Sequence, residues 1–241
     1  MPDTTPSAPS FPQRKIRSFV RREGRATLGQ KQAMEVLWPK FGFETPDADA
    51  STLDFKALFG RDAPCVLEIG FGDGEALVDA AMQLPEQNFI GAEVYTPGVG
   101  HCLIRIEHES LENVRLSQED AVVLLSEHIV DASLAEIKLF FPDPWHKKKH
   151  NKRRIVNAEF CALICKKLIT GGRIHFATDW EPYAHWSLEI FETCDTLENI
   201  SGKGEFTPKP DARLVTKFER RGQRLGHGSW DLIFTNTFKH S

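Results

Sequence analysis

The sequence predicts an α/β fold: a doubly wound, mostly parallel, seven-stranded sheet with helices on both faces. From residue 65 onward, short apolar segments alternate with amphipathic ones. Strands that alternate with helices form parallel sheets covered on both sides. The first apolar segment, residues 65–69, leads into a glycine-rich turn and then a helix. The 241 residues are enough to bury a core without disulfides or metals.

Each element follows from the pattern of apolar residues. Apolar segments predict strands at 65–69, 88–93, 113–116, 137–141 and 173–177, with two later strands at 197–200 and 230–238. Helical spacing predicts helices at 29–38, 75–82, 98–109, 121–129, 155–169 and 182–193. We expect Trp38-Pro39 to stop the first helix, and Gly171-Gly172 to end the helix at 155–169.

The chain divides into a tail, an arm and one domain. Residues 1–13 lack the basic start and apolar stretch of a secretory signal, so we expect a disordered tail. Residues 14–60 form a basic arm with a helix, and 61–241 form the main domain. No run approaches the roughly 18 apolar residues of a membrane span. The five scattered cysteines, without a CxxC, predict a reducing cytoplasm and no metal site.

The net charge of −4 conceals a strong segregation of charge. Three segments, 14–25, 147–154 and 217–224, contain 16 of the 30 basic residues and only 2 of the 34 acids. The rest of the chain is strongly acidic. Segregation of this kind favours a polyanionic partner, although a single basic run taken alone is more typical of a solvated face or loop.

The glycine-rich turn differs from the dinucleotide fingerprint G-x-G-x-x-G/A. Its third position is Glu75 when counted from the first glycine and Leu77 when counted from the second. Instead, Glu68 stands two residues before a G-x-G-x-G run at 70–74. A carboxylate there would repel a pyrophosphate but suit a ligand with an ammonium and a positive charge. S-adenosylmethionine has both, and it has no phosphate.

Two further acids follow later strands. Glu93 ends the second strand, where an acid typically accepts hydrogen bonds from ribose hydroxyls. Asp120 follows the third strand, where it can accept from the adenine amino group. Taken singly, each is equally typical of a solvated strand-end acid. We expect the cofactor to contact a set of turn and strand-end residues: Glu68, Gly70, Gly72, Gly74, Glu93 and Asp120.

Asp143 stands between two prolines at the end of the fourth strand, in Pro142-Asp143-Pro144-Trp145. Proline fixes φ and removes a backbone donor, so this carboxylate is expected to be held at the mouth of the cofactor site. A basic run, 146–154, follows at once. An acid beside the cofactor and a basic segment directly after it indicate a nucleic acid as methyl acceptor.

The stretch PDPWHKKKHNKRR at 142–154 closely resembles the signature of bacterial tRNA (guanine-N7-)-methyltransferases. The resemblance extends through LEIGFGDG at 67–74, GAEVYTPGVG at 91–100, ATDWEPYA at 177–184 and TKFERRGQRLGHGSWDL at 216–232. It covers the chain from about residue 14 to the end. It implies a Rossmann-like class I methyltransferase fold and methyl transfer from S-adenosylmethionine to N7 of guanine 46, in the variable loop of tRNA.

The resemblance also implies site residues. Cofactor contacts would come from Glu68, Glu93, Asp120 and Asp143, and Asp143 would also be catalytic. Substrate contacts would come from Lys147, Asp179, Thr216, Lys217, Phe218 and Glu219. RNA contacts would come from Lys149, His150, Asn151, Lys152, Arg153 and Arg154.

The residues leave several alternatives open. Asp143 can stabilise the positive charge of the methylated ring or orient the ring through its amino edge. Asp179 or Glu219 can accept from the N1 and N2 donors of guanine. Trp180, Tyr183 and Trp186 can stack on a base or simply pack. A non-catalytic RNA-binding protein with this fold is the alternative to an enzyme. The protein is expected to be a monomer or homodimer without an obligatory protein partner.

Overall fold

The computed structural model describes residues 18–19, 24–45, 52–211, 213–214, 219 and 228–239. The predicted tail at 1–13 lies outside these residues, as do 14–17, 20–23 and 46–51 of the predicted arm and the substrate-contact candidates Thr216, Lys217 and Phe218. Within the described residues, no helix has the length and apolar character that crossing a bilayer requires.

A seven-stranded, mostly parallel sheet forms the centre of the molecule. Its strands are β1 (Cys65–Ile69), β2 (Asn88–Ala92), β3 (Val114–Ser117), β4 (Leu134–Phe140), β5 (Leu168–Thr178), β6 (Leu197–Asn199) and β7 (Trp230–Asn236). They lie in the order β3-β2-β1-β4-β5-β7-β6, and only β7 runs antiparallel to its neighbours. The predicted fold class is confirmed, because all seven strands occur where apolar segments placed them.

Helices connect the strands and cover the sheet. They are α1 (Leu28–Val36), α2 (Trp38–Phe41), α3 (Phe55–Phe59), α4 (Glu75–Gln83), α5 (Thr96–His108), α6 (Ala121–Val123), α7 (Ala158–Lys167) and α8 (Glu181–Glu192). A π-helical turn, Leu124–His128, extends α6, and a 3₁₀ helix spans Lys148–Arg153. Together with its π-helical extension, α6 covers most of the helix predicted at 121–129.

One predicted helix end is wrong, and another is followed by a short helix that the sequence pattern missed. α1 ends at Val36, just before Trp38-Pro39, but these two residues begin α2, because proline is tolerated in the first turn of a helix. Gly171 and Gly172 do not cap α7, since that helix already ends at Lys167 and both glycines lie within β5. The sequence pattern also missed the five-residue helix α3, which begins where the side chain of Asp54 accepts two backbone N–H groups.

The sheet separates two hydrophobic clusters, one on each face. Leu67 and Phe176 belong to the cluster under α7 and α8, whereas Val66 and Phe89 belong to the cluster under α4 and α5. All five residues of β1 are buried, as expected for a central strand covered on both faces. The core therefore leaves the strand ends as the place where polar groups can gather.

Candidate active site

A cavity of about 540 Å³ opens at the carboxyl ends of the central strands. It is lined by residues 69–70, 92–95, 119–121 and 139–143, which end or follow β1, β2, β3 and β4. Ser18, Phe19, Gly24 and Ile155 complete the lining. β2 and β3 lie on one side of β1, and β4 and β5 lie on the other. The strand order therefore reverses at β1, and such a reversal opens a crevice at the carboxyl ends of the strands.

The glycine turn fits tightly between β1 and α4. Gly70, Gly72 and Gly74 have φ values of 70°, 58° and 76°, in a region that residues other than glycine rarely adopt. A Cβ on Gly74 would lie 2.3 Å from the sulfur of Cys102. Of the three glycines, only Gly70 lines the cavity. The other two shape the turn, and Gly72 also donates its N–H to Glu93.

Glu93 lines the cavity in a fixed orientation. Its two carboxylate oxygens accept backbone N–H groups from Gly72 at 3.0 Å and Tyr95 at 2.9 Å. Burial raises the pKa of Glu93 above its ordinary value, and these hydrogen bonds oppose that shift. Because an ionised carboxylate offers about four acceptor sites, Glu93 keeps capacity for the hydroxyls of a ligand.

Two neighbouring acids follow β3. Asp120 caps α6, with one oxygen accepting the N–H of Val122 at 2.9 Å, and its side chain also lines the cavity. Glu119 lines the cavity too and accepts the N–H of Asp120 at 2.8 Å. The sequence analysis overlooked Glu119, although its position beside Asp120 at a strand end was a usable signal.

Asp143 lies exposed at the mouth of the cavity, after the end of β4. The chain turns sharply before and after it, since Phe141 and Trp145 have φ values of 49° and 48°. Positive φ is costly for aromatic residues, so their surroundings must hold this conformation. The N–H of Phe141 donates to Ala177 at 2.8 Å, which ties the turn to β5.

The basic segment after Asp143 divides into exposed lysines and packed arginines. Arg154 is only 6% exposed; its Nε donates to the carbonyl of Pro144 at 3.0 Å. Its guanidinium lies 4.9 Å from the ring centre of Tyr183 and 5.1 Å from that of Trp186. The exposed members of the segment are His146, Lys147, Lys148, Lys149 and Lys152. Arg154 is thus placed to hold the loop that carries Asp143, whereas the four lysines face solvent.

Arg153 and Trp145 connect this loop to the beginning of the chain. The Arg153 guanidinium stacks 3.8 Å from the ring centre of Trp145 and donates to the carbonyl of Phe19 at 3.2 Å. The indole N–H of Trp145 donates to the carbonyl of Ser18 at 3.1 Å. Ser18 and Phe19 therefore reach the cavity wall, a contact that no local pattern indicated.

The remaining candidates are spread around the mouth and behind it. Asp179 follows β5 and is half-buried beside Trp180, whose ring meets His146 edge-on at 4.4 Å. His150 contacts Trp145 edge-on, and the side-chain oxygen of Asn151 is buried. Tyr183 and Trp186 pack under Arg154, as described above. Glu219 is 1% exposed and does not line the cavity.

Glu68 lies in β1, beneath the turn, and does not line the cavity. It is 3% exposed, and its Oε2 has no hydrogen-bond partner among the described residues. Burial raises its pKa from an ordinary 4.5 to about 7, although nearby Lys138 opposes the shift. A buried, unpartnered carboxylate oxygen so close to the turn is a group that a cationic ligand or a bound water would satisfy.

The charge of the cavity determines which ligands fit. Its described lining contains four acids, Glu93, Glu119, Asp120 and Asp143, and no Lys, Arg or His. A phosphate would be repelled from these carboxylates, whereas a sulfonium and an ammonium would be attracted. Glu93 and Asp120 also supply acceptors for hydroxyl and amino groups. The residues present therefore fit S-adenosylmethionine.

Comparison with known proteins identifies the family. A family model described as a putative methyltransferase matches residues 62–232. Proteins named tRNA (guanine-N(7)-)-methyltransferase from Cronobacter sakazakii and Salmonella choleraesuis are 54% and 53% identical over 223 residues, 92% of this chain and 92% of each relative. The chain belongs to the bacterial tRNA (guanine-N7-)-methyltransferase family. The family membership that PDPWHKKKHNKRR and the other motifs indicated is therefore confirmed.

Solved structures agree with the fold of the family member. The 16S rRNA methyltransferase KamB aligns with a TM-score of 0.56 at 15% identity, over 80% of this chain and 95% of that chain. The aminoglycoside resistance methyltransferase NpmB1 aligns with a TM-score of 0.52 at 16% identity, over 76% and 91%. At such low identity these structures support the Rossmann-like methyltransferase fold alone.

The raised pKa of Glu68 makes stability depend on pH in a definite direction. Between pH 4.5 and about 7, the unfolded chain loses this proton while the folded protein retains it. The contribution of Glu68 to stability therefore falls as pH rises through this window and levels off above it. Replacing Glu68 by Gln should remove the fall, which amounts to roughly 3 kcal/mol for a shift of this size.

Urea unfolding at several pH values, without cofactor, measures this difference. Glu198→Gln, which changes an exposed acid in β6, is the matched control and should follow the wild type. Parallel stability curves for the wild type and Glu68→Gln would contradict the assignment.

Proposed function

We propose that the protein transfers a methyl group from S-adenosylmethionine to N7 of guanine 46 in the variable loop of tRNA. Identity of 54% over 92% of the chain to proteins named tRNA (guanine-N(7)-)-methyltransferase supports the activity. The observation that carries the proposal is the acidic cavity with Asp143 at its mouth, directly beside exposed lysines. Such a site accepts a cationic cofactor on one side and a polyanion on the other.

Each cofactor contact has a residue suited to it. Glu93 accepts from the ribose hydroxyls, because its carboxylate is already oriented by two backbone N–H groups. Asp120 accepts from the adenine amino group, and Gly70 lets the ligand approach the backbone closely. Bound S-adenosylmethionine supplies an activated methyl group on a sulfonium.

The reaction needs position and charge more than proton transfer. N7 of neutral guanine has a free lone pair, so no general base is required for its attack. The product ring carries a positive charge, and a carboxylate held near it lowers the energy of that charge as it develops. Asp143 fits this role because the turn around it is fixed by Phe141 and Arg154. Alignment of the guanine with the methyl group supplies the rest.

Recognition of tRNA uses the outer surface of the mouth. Lys147, Lys149 and Lys152 are exposed and suited to phosphates. Asp179, half-buried beside Trp180, accepts from the N1 and N2 donors of guanine, an edge that adenine does not offer. The five cysteines are free thiols in the structure, which fits action in the cytoplasm.

The decisive experiment separates this enzyme from a non-catalytic RNA-binding protein with the same fold. Purified protein is incubated with labelled S-adenosylmethionine and unmodified tRNA, and the digested tRNA is analysed for 7-methylguanine. We expect label at guanine 46 and none in a tRNA carrying adenine there. Binding of tRNA without any methylation would favour the non-catalytic alternative.

Substitution of Asp143 tests its catalytic role. Asp143→Ala and Asp143→Asn should each lower kcat, by about 10²–10³-fold if the carboxylate stabilises developing charge. Asn keeps an acceptor for the ring amino group but not the charge, so near-normal turnover of Asp143→Asn would instead assign ring orientation. The measurement is turnover at saturating cofactor and tRNA. The matched control is Asp62→Asn, because Asp62 is an exposed acid just before β1, at the opposite end of that strand from the cavity.

Substitution of Glu93 tests cofactor binding. Glu93→Ala should weaken S-adenosylmethionine binding by about 1–3 kcal/mol, since ribose donors lose their acceptor. The affinity for tRNA should not change. Calorimetry measures both affinities. Glu86→Ala is the control, because Glu86 is an exposed acid just before the start of β2, whereas Glu93 follows its end. Unchanged cofactor affinity in Glu93→Ala would exclude the assigned contact.

The basic segment predicts a division between its lysines and Arg154. If Lys149 and Lys152 contact phosphates, their double Ala variant should weaken tRNA binding and reduce the log–log salt slope by roughly 0.7–0.9 per contact. Arg154→Lys should instead lower turnover and stability and leave the slope unchanged, because its guanidinium is buried under the Asp143 loop.

tRNA affinity across a salt series measures both effects. The control is the double Ala variant of Lys40 and Lys56, two exposed lysines on α2 and α3. A Lys149 and Lys152 variant with unaltered slope and affinity would show that these lysines belong to a solvated loop only.

A further inference from the structure

A buried ionic network lies behind the end of β4, outside the cavity. Arg213, 5% exposed, donates to both oxygens of Glu219, at 2.7 and 2.9 Å, and to Oδ2 of Asp231 at 2.9 Å. The other oxygen of Asp231 lies 2.7 Å from His175 Nε2. Ser229 donates to Glu219 at 2.9 Å. Burying these charged groups costs desolvation energy, and removing one of them would leave its partner buried and unpaired.

The network encloses the last residue of β4. The Arg213 guanidinium lies 5.9 Å from the ring centre of Phe140 and 5.6 Å from that of Phe141. From the neighbouring strand, the ring of His175 meets Phe140 edge-on at 4.9 Å. Since Asp231 binds both Arg213 and His175, one carboxylate fixes two groups that contact Phe140.

The end of β4 needs such support. Phe141 has a φ of 49°, which an aromatic residue adopts only when its surroundings hold it there. The N–H of Phe141 donates to the carbonyl of Ala177 in β5. The next residue, Pro142, has no N–H with which to continue the pairing with β5. Phe141 also lines the cavity, two residues before Asp143. A shift of Phe141 would therefore move the carboxylate at the mouth.

We propose that Arg213 is a positioning residue that holds Phe140 and Phe141, and through them Asp143, in place for methyl transfer. This rests on the proposed function for the role of Asp143. Arg213 itself is too deeply buried to contact tRNA. Its planar guanidinium can bind two carboxylates and cover the aromatic rings at the same time, which a lysine ammonium cannot do.

The proposal also assigns Glu219. The family resemblance makes it a substrate contact, but it is 1% exposed and bonded to Arg213 through both oxygens. Glu219 is then the charge partner that keeps Arg213 oriented toward Phe141. On this account its replacement changes the rate but not the choice of base.

Arg213→Lys tests the proposal, with Arg115→Lys as the matched control. Arg115 is likewise a hydrogen-bonded arginine that lies over an aromatic ring, Phe59, but its partners are backbone carbonyls and it belongs to the edge strand β3. We expect Arg213→Lys to speed hydrogen exchange of the 140–146 peptide by about tenfold. We also expect it to lower kcat by about tenfold with an unchanged KM for tRNA. Arg115→Lys should do neither, although it too removes the hydrogen bonds and the ring contact of a guanidinium.

Unchanged exchange at 140–146 in Arg213→Lys would overturn the proposal. If that variant does not fold, Glu219→Gln replaces it, since it keeps Arg213 and its contacts with Asp231. A smaller acceleration at 140–146 and a lower kcat are then expected, and normal exchange there would again overturn the proposal. If Glu219→Gln methylates tRNA carrying adenine at the target position, Glu219 recognises the base and its anchoring role is wrong. The exchange measurement needs no activity, so it stays decisive even if the wild type fails to methylate tRNA.

Discussion

Parallel pairing of β1 with both β2 and β4 is the constraint on which the site depends. It brings the carboxyl ends of three strands to one edge of the sheet, so each following turn must start there. The turns carry Glu93, Asp120 and Asp143, acids that line the cavity, whereas Glu68 lies inside the buried strand β1. Glu93 shows how close this arrangement is: one carboxylate bonds the backbone of the glycine turn and that of its own turn. The orientation of Glu93 is therefore set by the backbone more than by side-chain packing.

Around this edge, arginines and lysines have different tasks. Arg154 is buried and bonded to backbone and aromatic groups, and Arg213 is buried against carboxylates and aromatic rings. Lys149 and Lys152, in the same basic segment as Arg154, are exposed. A guanidinium is weakly hydrated and planar, so it can be buried against rings, whereas an ammonium is strongly hydrated and stays in solvent. A basic segment can thus serve two purposes within a few residues.

Much of the fold and part of the site could be predicted from local patterns. Apolar segments located all seven strands, and the strand ends located Glu93, Asp120 and Asp143 at one cavity. The burial of Arg154 could not be predicted, since a basic run shows charge but not which side chains face inward. The network of Arg213 depends on contacts such as that of His175 with Asp231, 56 positions apart. Only the completed sheet brings such groups together.

The acidic mouth sets a limit on how deeply a nucleic acid can enter. Phosphates are attracted by the lysines at 147–152 but repelled by the carboxylates of Glu119, Asp120 and Asp143 a short distance inside. A sugar–phosphate backbone must then stop at the rim, and only an uncharged base can pass beyond it. A base stacked in a duplex cannot do so without leaving its neighbours, which costs a few kcal/mol. The distribution of charge around the mouth of the cavity therefore favours nucleotides in loops, whose bases turn outward most easily.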